Sequence, residues 1–258
     1  MMDFADLKRV SDRVGERRGW SFDQMRTACD PVPWEYEEVV RRYLRPSSRV
    51  LDIGTGGGER FLALAPFFGS GIAVDVSPTM IAVAQENVPP EMRGKVSFVV
   101  MAAEEMLLPA DSFDVVLNRH SVVRPDQIVR VLQPGGIFIT QGVGAHNTHN
   151  ICTVFDCDPG GGQSGRSPSG GHHWETVATL CTAFEARGCS VVAHAEYDIR
   201  YWFLDVESLV FWLKAIPIPH NFTIEEHWQQ VNHIVTTYRT PVGIETNEHR
   251  ELLIIRKV

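Results

Sequence analysis

The sequence predicts an α/β protein built on a doubly wound, largely parallel sheet. Two observations carry this. Short apolar runs alternate with amphipathic segments through the middle of the chain, as in a sheet with helices on both faces. The first of those runs, Val50-Leu51-Asp52-Ile53, leads directly into Gly54-Thr55-Gly56-Gly57-Gly58-Glu59, a glycine-rich turn that opens a helix.

The elements follow in order. Residues 34–44 read as a helix, after a break at Asp30-Pro31-Val32-Pro33; the first 45 residues as a whole are polar and helical in pattern. Strands are expected at 49–53, 71–75, 96–100, 113–118 and 136–141, and helices at 58–67, 78–87 and 124–132. Ser77 and Pro78 form an N-cap and first-turn pair. A helix at 174–187, a strand at 190–201 and a closing strand at 251–256 complete a seven-strand sheet. Two amphipathic helices precede the closing strand. Val206, Leu209, Val210, Leu213 and Ile216 share a face in the first, and Ile224, Trp228, Val231, Val235 and Tyr238 in the second. The expected organisation is an N-terminal helical cap at 1–45 and a main domain at 46–258, with a helical insertion at about 203–240.

Composition narrows the function. The chain has 258 residues, 44% of them hydrophobic and 22% charged, as in a soluble globular protein. The net charge of −8 comes without a Lys/Arg block, which argues against a nucleic-acid partner. No apolar run approaches the roughly 20 residues of a membrane span, and the first residues carry no signal pattern. Five scattered cysteines suit reduced thiols in the cytoplasm.

The glycine spacing separates cofactors. A dinucleotide fingerprint places its third glycine where this chain has Glu59, and a carboxylate there opposes a pyrophosphate. The second strand ends in Asp75, placed to bind ribose hydroxyls. Asp52-x-Gly54-x-Gly56-x-Gly58 resembles the first motif of class I S-adenosylmethionine-dependent methyltransferases. Ala102-Ala103-Glu104, Leu108-Pro109, Asp111-Ser112-Phe113-Asp114-Val115-Val116 and Leu132-Gln133-Pro134-Gly135-Gly136 are similar to later motifs of that superfamily, so the likeness runs over residues 48–142.

The resemblance implies a Rossmann-like sheet with an antiparallel last strand, and S-adenosylmethionine as cofactor. It also implies roles by position. Gly54, Thr55, Gly56 and Gly58 would pass under the methionine part, with Asp52 holding the turn near the ammonium group. Asp75 and Val76 would meet the ribose, Met80 and Ala103 the adenine, and Asn118 would close the pocket. Where the family has an acid for the adenine amino group this chain has Ala102, so Glu104 or water must substitute.

Methyl transfer needs alignment more than a catalytic group, and a base only where the acceptor loses a proton. His120, just past the strand at 113–118, is the candidate base. Arg119 is a candidate for a carboxylate, and Trp34, Tyr36, His146 and His173 for substrate contact. His146, His149, Cys152, Cys157, His172 and His173 include metal-ligating types but lack a paired Cys-x-x-Cys, and no metal is expected. The glycine-rich stretch 158–171 reads as a mobile loop closing over the substrate. The expected activity is methyl transfer to O, N or C of a small molecule, in secondary metabolism. The alternatives are a non-catalytic sensor of S-adenosylmethionine and an enzyme of another class using it.

Overall fold

The structure is a computed structural model and describes residues 2–15, 22–157, 176–216, 218, 219 and 221–258. In chain order the elements are α1 (Phe4–Arg13), β1 (Thr27–Cys29), α2 (Tyr36–Arg41), β2 (Arg49–Ile53), α3 (Glu59–Leu64), β3 (Ser70–Asp75), α4 (Pro78–Glu86), β4 (Val96–Val100), β5 (Phe113–Arg119), α5 (Pro125–Val131), β6 (Leu132–Val143), α6 (His149–Phe155), α7 (Val177–Glu185), β7 (Cys189–Phe203), α8 (Val206–Ala215), α9 (Ile224–Thr237) and β8 (Ile244–Lys257). The strands hydrogen-bond in the order β1-β7-β8-β6-β5-β2-β3-β4. Neighbours among β2, β3, β4, β5 and β6 run parallel. This is the α/β fold class expected, with one strand more than the seven anticipated.

The additional strand is β1, which pairs antiparallel with β7, Thr27 opposite Phe203 and Cys29 opposite Tyr201. It lies where the sequence reads as helical: three residues are too few to show a period of two, and the partner strand fixes them. The strand expected at 251–256 reaches back to Ile244. Its early half is legible only by its partners, because Glu245, Asn247 and Glu248 interrupt the apolar run.

The chain forms two compact units. The first comprises the described residues of Met1–Pro33, Val143–Trp174 and Tyr197–Arg250. Its core joins Leu7 and Val10 of α1, Ile151 of α6, Leu209 and Leu213 of α8, and Val231 and Ile234 of α9. The two amphipathic faces read from the sequence are the faces buried here. Asp3 caps α1 by a reciprocal pair with Asp6, and Thr223 caps α9 through Glu226 N–H.

The second unit comprises the described residues of Trp34–Gly142, Glu175–Glu196 and Glu251–Val258. Strand alternation splits its core in two. Val50, Ala73, Val115, Leu117, Ile137 and Ile139 face α2, α3 and α4. Leu51, Ile53, Val74, Val116 and Phe138 face α5 and α7. Ser77 caps α4 by accepting from Met80 N–H at 3.3 Å, as its sequence position predicts.

Candidate cofactor and substrate site

The parallel register aligns the carboxyl ends of four strands. Ile53 lies opposite Val74 on one side and Asn118 on the other, and Arg119 lies opposite Gln141. Alternation then decides which side chains share a face. Asp75, Asp52, Arg119 and Gln141 each follow a residue that points to the α5/α7 face or stand in step with one that points to α2, so all four lie on the α2 side. Read across β3, β2, β5 and β6, the row is acid, acid, cation, amide.

The glycine turn is built around this row. Gly54, Gly56 and Gly58 have φ of 75°, 58° and 77°, a region that side chains disfavour. Gly54 and Thr55 N–H both donate to the Val74 carbonyl, at 2.8 and 3.0 Å. A Cβ on Gly54 would stand 2.3 Å from the Ser121 side chain, and one on Gly58 2.7 Å from the Phe98 ring. Two of the three glycines are therefore required by packing within the protein itself. Asn87 Nδ2 donates to the Gly57 carbonyl at 2.9 Å, tying α4 to the turn.

Asp75 closes the turn from the other side. One carboxylate oxygen accepts from Gly56 N–H and the other from Ser77 N–H, each at 2.9 Å. Asp52 is half-buried, and burial pushes its carboxyl up from the ordinary 3.8 to about 6; the nearby Asp75 charge adds to the rise, while a Thr55 hydrogen bond and Arg119 oppose it. Tyr36 is buried, and burial raises its phenol far above the ordinary range. Its hydroxyl donates to the Asn118 carbonyl at 3.2 Å.

Other predicted residues fall as follows. Asn118 is fully buried on the opposite face. Its Oδ1 accepts from Thr140 Oγ1 and its Nδ2 donates to the Val122 carbonyl, both at 3.1 Å, so its side chain shapes the 119–122 turn. His120 sits in that turn with φ of 56° and donates its N–H to the Gln141 carbonyl at 2.9 Å. Met80 is half-buried in the first turn of α4, and Val76 is 72% exposed just past β3. Ala103 packs at the edge of the α5/α7 core, whereas the exposed Glu104 pairs with Arg124 at 3.0 Å. Trp34 donates its indole N–H to Gln141 Oε1 at 3.0 Å.

His146 belongs to the first unit. It is exposed and stacks on His249 at 5.5 Å, and its backbone N–H donates to His249 Nδ1. His173 and the stretch 158–171 lie outside the described residues. Sequence reading passed over Gln141, which holds Trp34 by its side chain and His120 by its backbone. The only sequence signal for it is a polar residue ending a buried apolar strand.

A methyltransferase-domain family model matches residues 51–140. Over 87 residues the chain is 42% identical to a magnesium-protoporphyrin O-methyltransferase of Rhodobacter capsulatus, covering 33% of this chain and 38% of that protein. Over 124 residues it is 31% identical to a ribosomal protein L11 methyltransferase of Geobacillus kaustophilus, covering 45% and 39%. The chain thus spans about two fifths of the length of these curated relatives. The solved structure of the YcgJ protein from Bacillus subtilis matches with a TM-score of 0.61 at 19% identity, covering 86% of this chain and 97% of that one, which shows a shared fold. Residues 51–140, which hold the glycine turn and all of the row beside it but Gln141, are thus similar to a methyltransferase domain, and the fold is that of the YcgJ protein. The match of that segment to a methyltransferase domain implies S-adenosylmethionine as the cofactor.

Proposed function

We propose that the chain is an enzyme that transfers a methyl group from S-adenosylmethionine to an O, N or C atom of a small-molecule acceptor. The observation that carries this is the row Asp75, Asp52, Arg119, Gln141 at the carboxyl ends of four parallel strands, with the glycine turn folded against it. Its charges suit the cofactor. A half-buried Asp52 is relieved by a cation beside it, such as the cofactor's ammonium group. Asp75 retains lone pairs for ribose hydroxyls beyond its two backbone partners. Phosphate-bearing dinucleotides would instead meet two carboxylates.

When bound, S-adenosylmethionine supplies an activated methyl group on a positively charged sulfur. The residues of the chain have three tasks. Asp52, Asp75 and the turn Gly54–Gly58 hold the cofactor, with Val76 beside its ribose and Met80 and Ala103 along its adenine. Arg119 binds a carboxylate of cofactor or acceptor. Trp34 and Tyr36, fixed to Gln141 and to the Asn118 carbonyl, wall the acceptor side and exclude water. An imidazole nitrogen of His120 takes the proton where the acceptor must lose one. Asn118 acts through the 119–122 turn. His146 and His173 remain candidates for acceptor contact, and the stretch 158–171 for a closing segment. The reading includes a cytoplasmic location and a role in secondary metabolism; among the described residues no helix is long and apolar enough to cross a membrane.

Mass spectrometry tests this directly. The purified chain with S-adenosylmethionine and a metabolite pool is expected to give S-adenosylhomocysteine and an acceptor heavier by one methyl. Methylation of ribosomal protein alone would overturn the small-molecule acceptor. Cofactor binding without methyl gain in either pool would favour the sensor.

A further inference from the structure

The amino ends of the same strands hold a cavity. It has a volume of about 240 Å³ and is lined by Arg49, Ser70, Ile72, Lys95, Ser97 and Phe113, among others. Its origin lies in the connection between β4 and β5. Residues 101–112 cross from the sheet edge to β5 without forming a helix. The α5/α7 side of β3 and β4 therefore keeps no helical cover from that crossover. Ser97 is exposed, and Val99 on the same side of β4 is 37% exposed.

Two cations, Arg49 and Lys95, line this cavity. The protein carries a net charge of −8, and cations such as Lys8, Arg13, Arg60, Arg124, Arg200 and Lys257 are paired with carboxylates. Among the described residues, Arg49 and Lys95 have no carboxylate within ion-pair distance. Each instead lies over an aromatic ring, Arg49 5.8 Å from the Phe113 centroid and Lys95 5.6 Å from that of Phe68. Ring faces orient a cation while leaving its N–H donors available. The register adds two hydroxyls, because Arg49 pairs with Ser70 on β3 and Ser97 pairs with Ile72. Nearby Asp114 is engaged elsewhere, accepting from Arg49 backbone N–H at 2.7 Å and from Gln133 Nε2 at 2.5 Å.

We propose that this cavity binds a phosphate group, free or carried on a small molecule, at the end of the sheet opposite the cofactor row. Two cations and two hydroxyls lining one cavity supply donors enough for a tetrahedral dianion with several acceptor oxygens. A planar monoanion uses fewer of them.

Calorimetric titration of the full chain with inorganic phosphate at low salt tests this. Saturable binding in the millimolar range is expected, with acetate binding at least tenfold more weakly. Arg49→Ala combined with Lys95→Ala is expected to abolish it while leaving the circular-dichroism spectrum unchanged. If the double variant fails to fold, Arg49→Gln and Lys95→Met are each expected to weaken binding severalfold. Absent saturation, equal affinity for acetate, or unchanged affinity in the folded variants would overturn the proposal.

Discussion

One polar cluster in each compact unit shows two opposite uses of such groups. In the first unit, the groups around Asn147 and Asn150 are spent on one another and on backbone. Asn147 Oδ1 accepts from His249 N–H at 3.1 Å and from Arg250, His249 Nδ1 accepts from His146 N–H at 3.1 Å, and Asn150 Oδ1 accepts from Thr246 Oγ1 at 2.6 Å. In the second, the row at the strand ends keeps two carboxylates close enough for one to raise the other's pKa. A satisfied network rigidifies, whereas an under-compensated charge costs free energy until a ligand offsets it. The contrast teaches where to expect binding: at the polar groups whose neighbours leave their charge uncompensated.

The largest effect expected is from breaking the turn. Gly58→Val adds a β-branched side chain at φ 77° and drives it into Phe98. A loss of about 3 kcal/mol or more is expected in denaturant unfolding. Gly142→Ala, where nothing lies within 4 Å of the added Cβ, should change the midpoint by little. Equal effects would show that the turn is not tightly packed.

Asp52 gives the clearest pH signature. Its folded pKa of about 6 stands above the ordinary 3.8, so folding favours its protonated form. The associated stability is full below about pH 4 and is lost as pH rises through about 6, an effect on the order of 1–3 kcal/mol. Asp52→Asn should flatten the stability profile between those pH values and leave the free protein more stable at pH 7. It should also weaken S-adenosylhomocysteine binding. A profile identical to the parent's would remove Asp52 from the uncompensated set.

Asn147→Ala probes the satisfied network. It strips partners from the buried His249 N–H and from Arg250, costing about 1–3 kcal/mol in thermal unfolding. Calorimetry should find cofactor affinity unchanged, and a matching loss of affinity would erase the distinction between the units. Asp75→Ala should do the reverse, weakening S-adenosylhomocysteine at least tenfold, or about 1.4 kcal/mol, because a charge-assisted hydroxyl contact is lost. Since Asp75 also anchors Gly56 and Ser77 N–H, a smaller drop in stability should accompany it.

The smallest effect on the fold is expected at His120. A non-glycine residue at φ 56° is strained, so His120→Gly should leave stability level or raise it by about 0.5–1 kcal/mol. Turnover with a proton-losing acceptor should fall by about 100-fold or more if the imidazole is the base. Undiminished turnover would reduce His120 to a turn residue.

Much of the second unit was legible beforehand because its signals are local. Strands at 49–53 and 96–100 begin and end as their apolar runs do, Ser77 caps α4, and the Asp-x-Gly-x-Gly-x-Gly turn falls at the end of β2. Other features came from partners distant in the chain. The strand β1 exists because Tyr201–Phe203 offers it a ladder, and Gln141 matters because Trp34 arrives at its side chain.

The sequence by itself determined the α/β class, the glycine turn and the two acids near the carboxyl ends of β2 and β3. Strand period and backbone conformation are written over a few adjacent residues. Only the tertiary structure decided that Asp75, Asp52, Arg119 and Gln141 stand in one row. It alone showed that Gly58 yields to Phe98, that Asn118 turns to the other face, and that Arg49 and Lys95 share a cavity. Those outcomes depend on the register between strands far apart in the chain, and register is settled by packing across the sheet, a property no single segment carries.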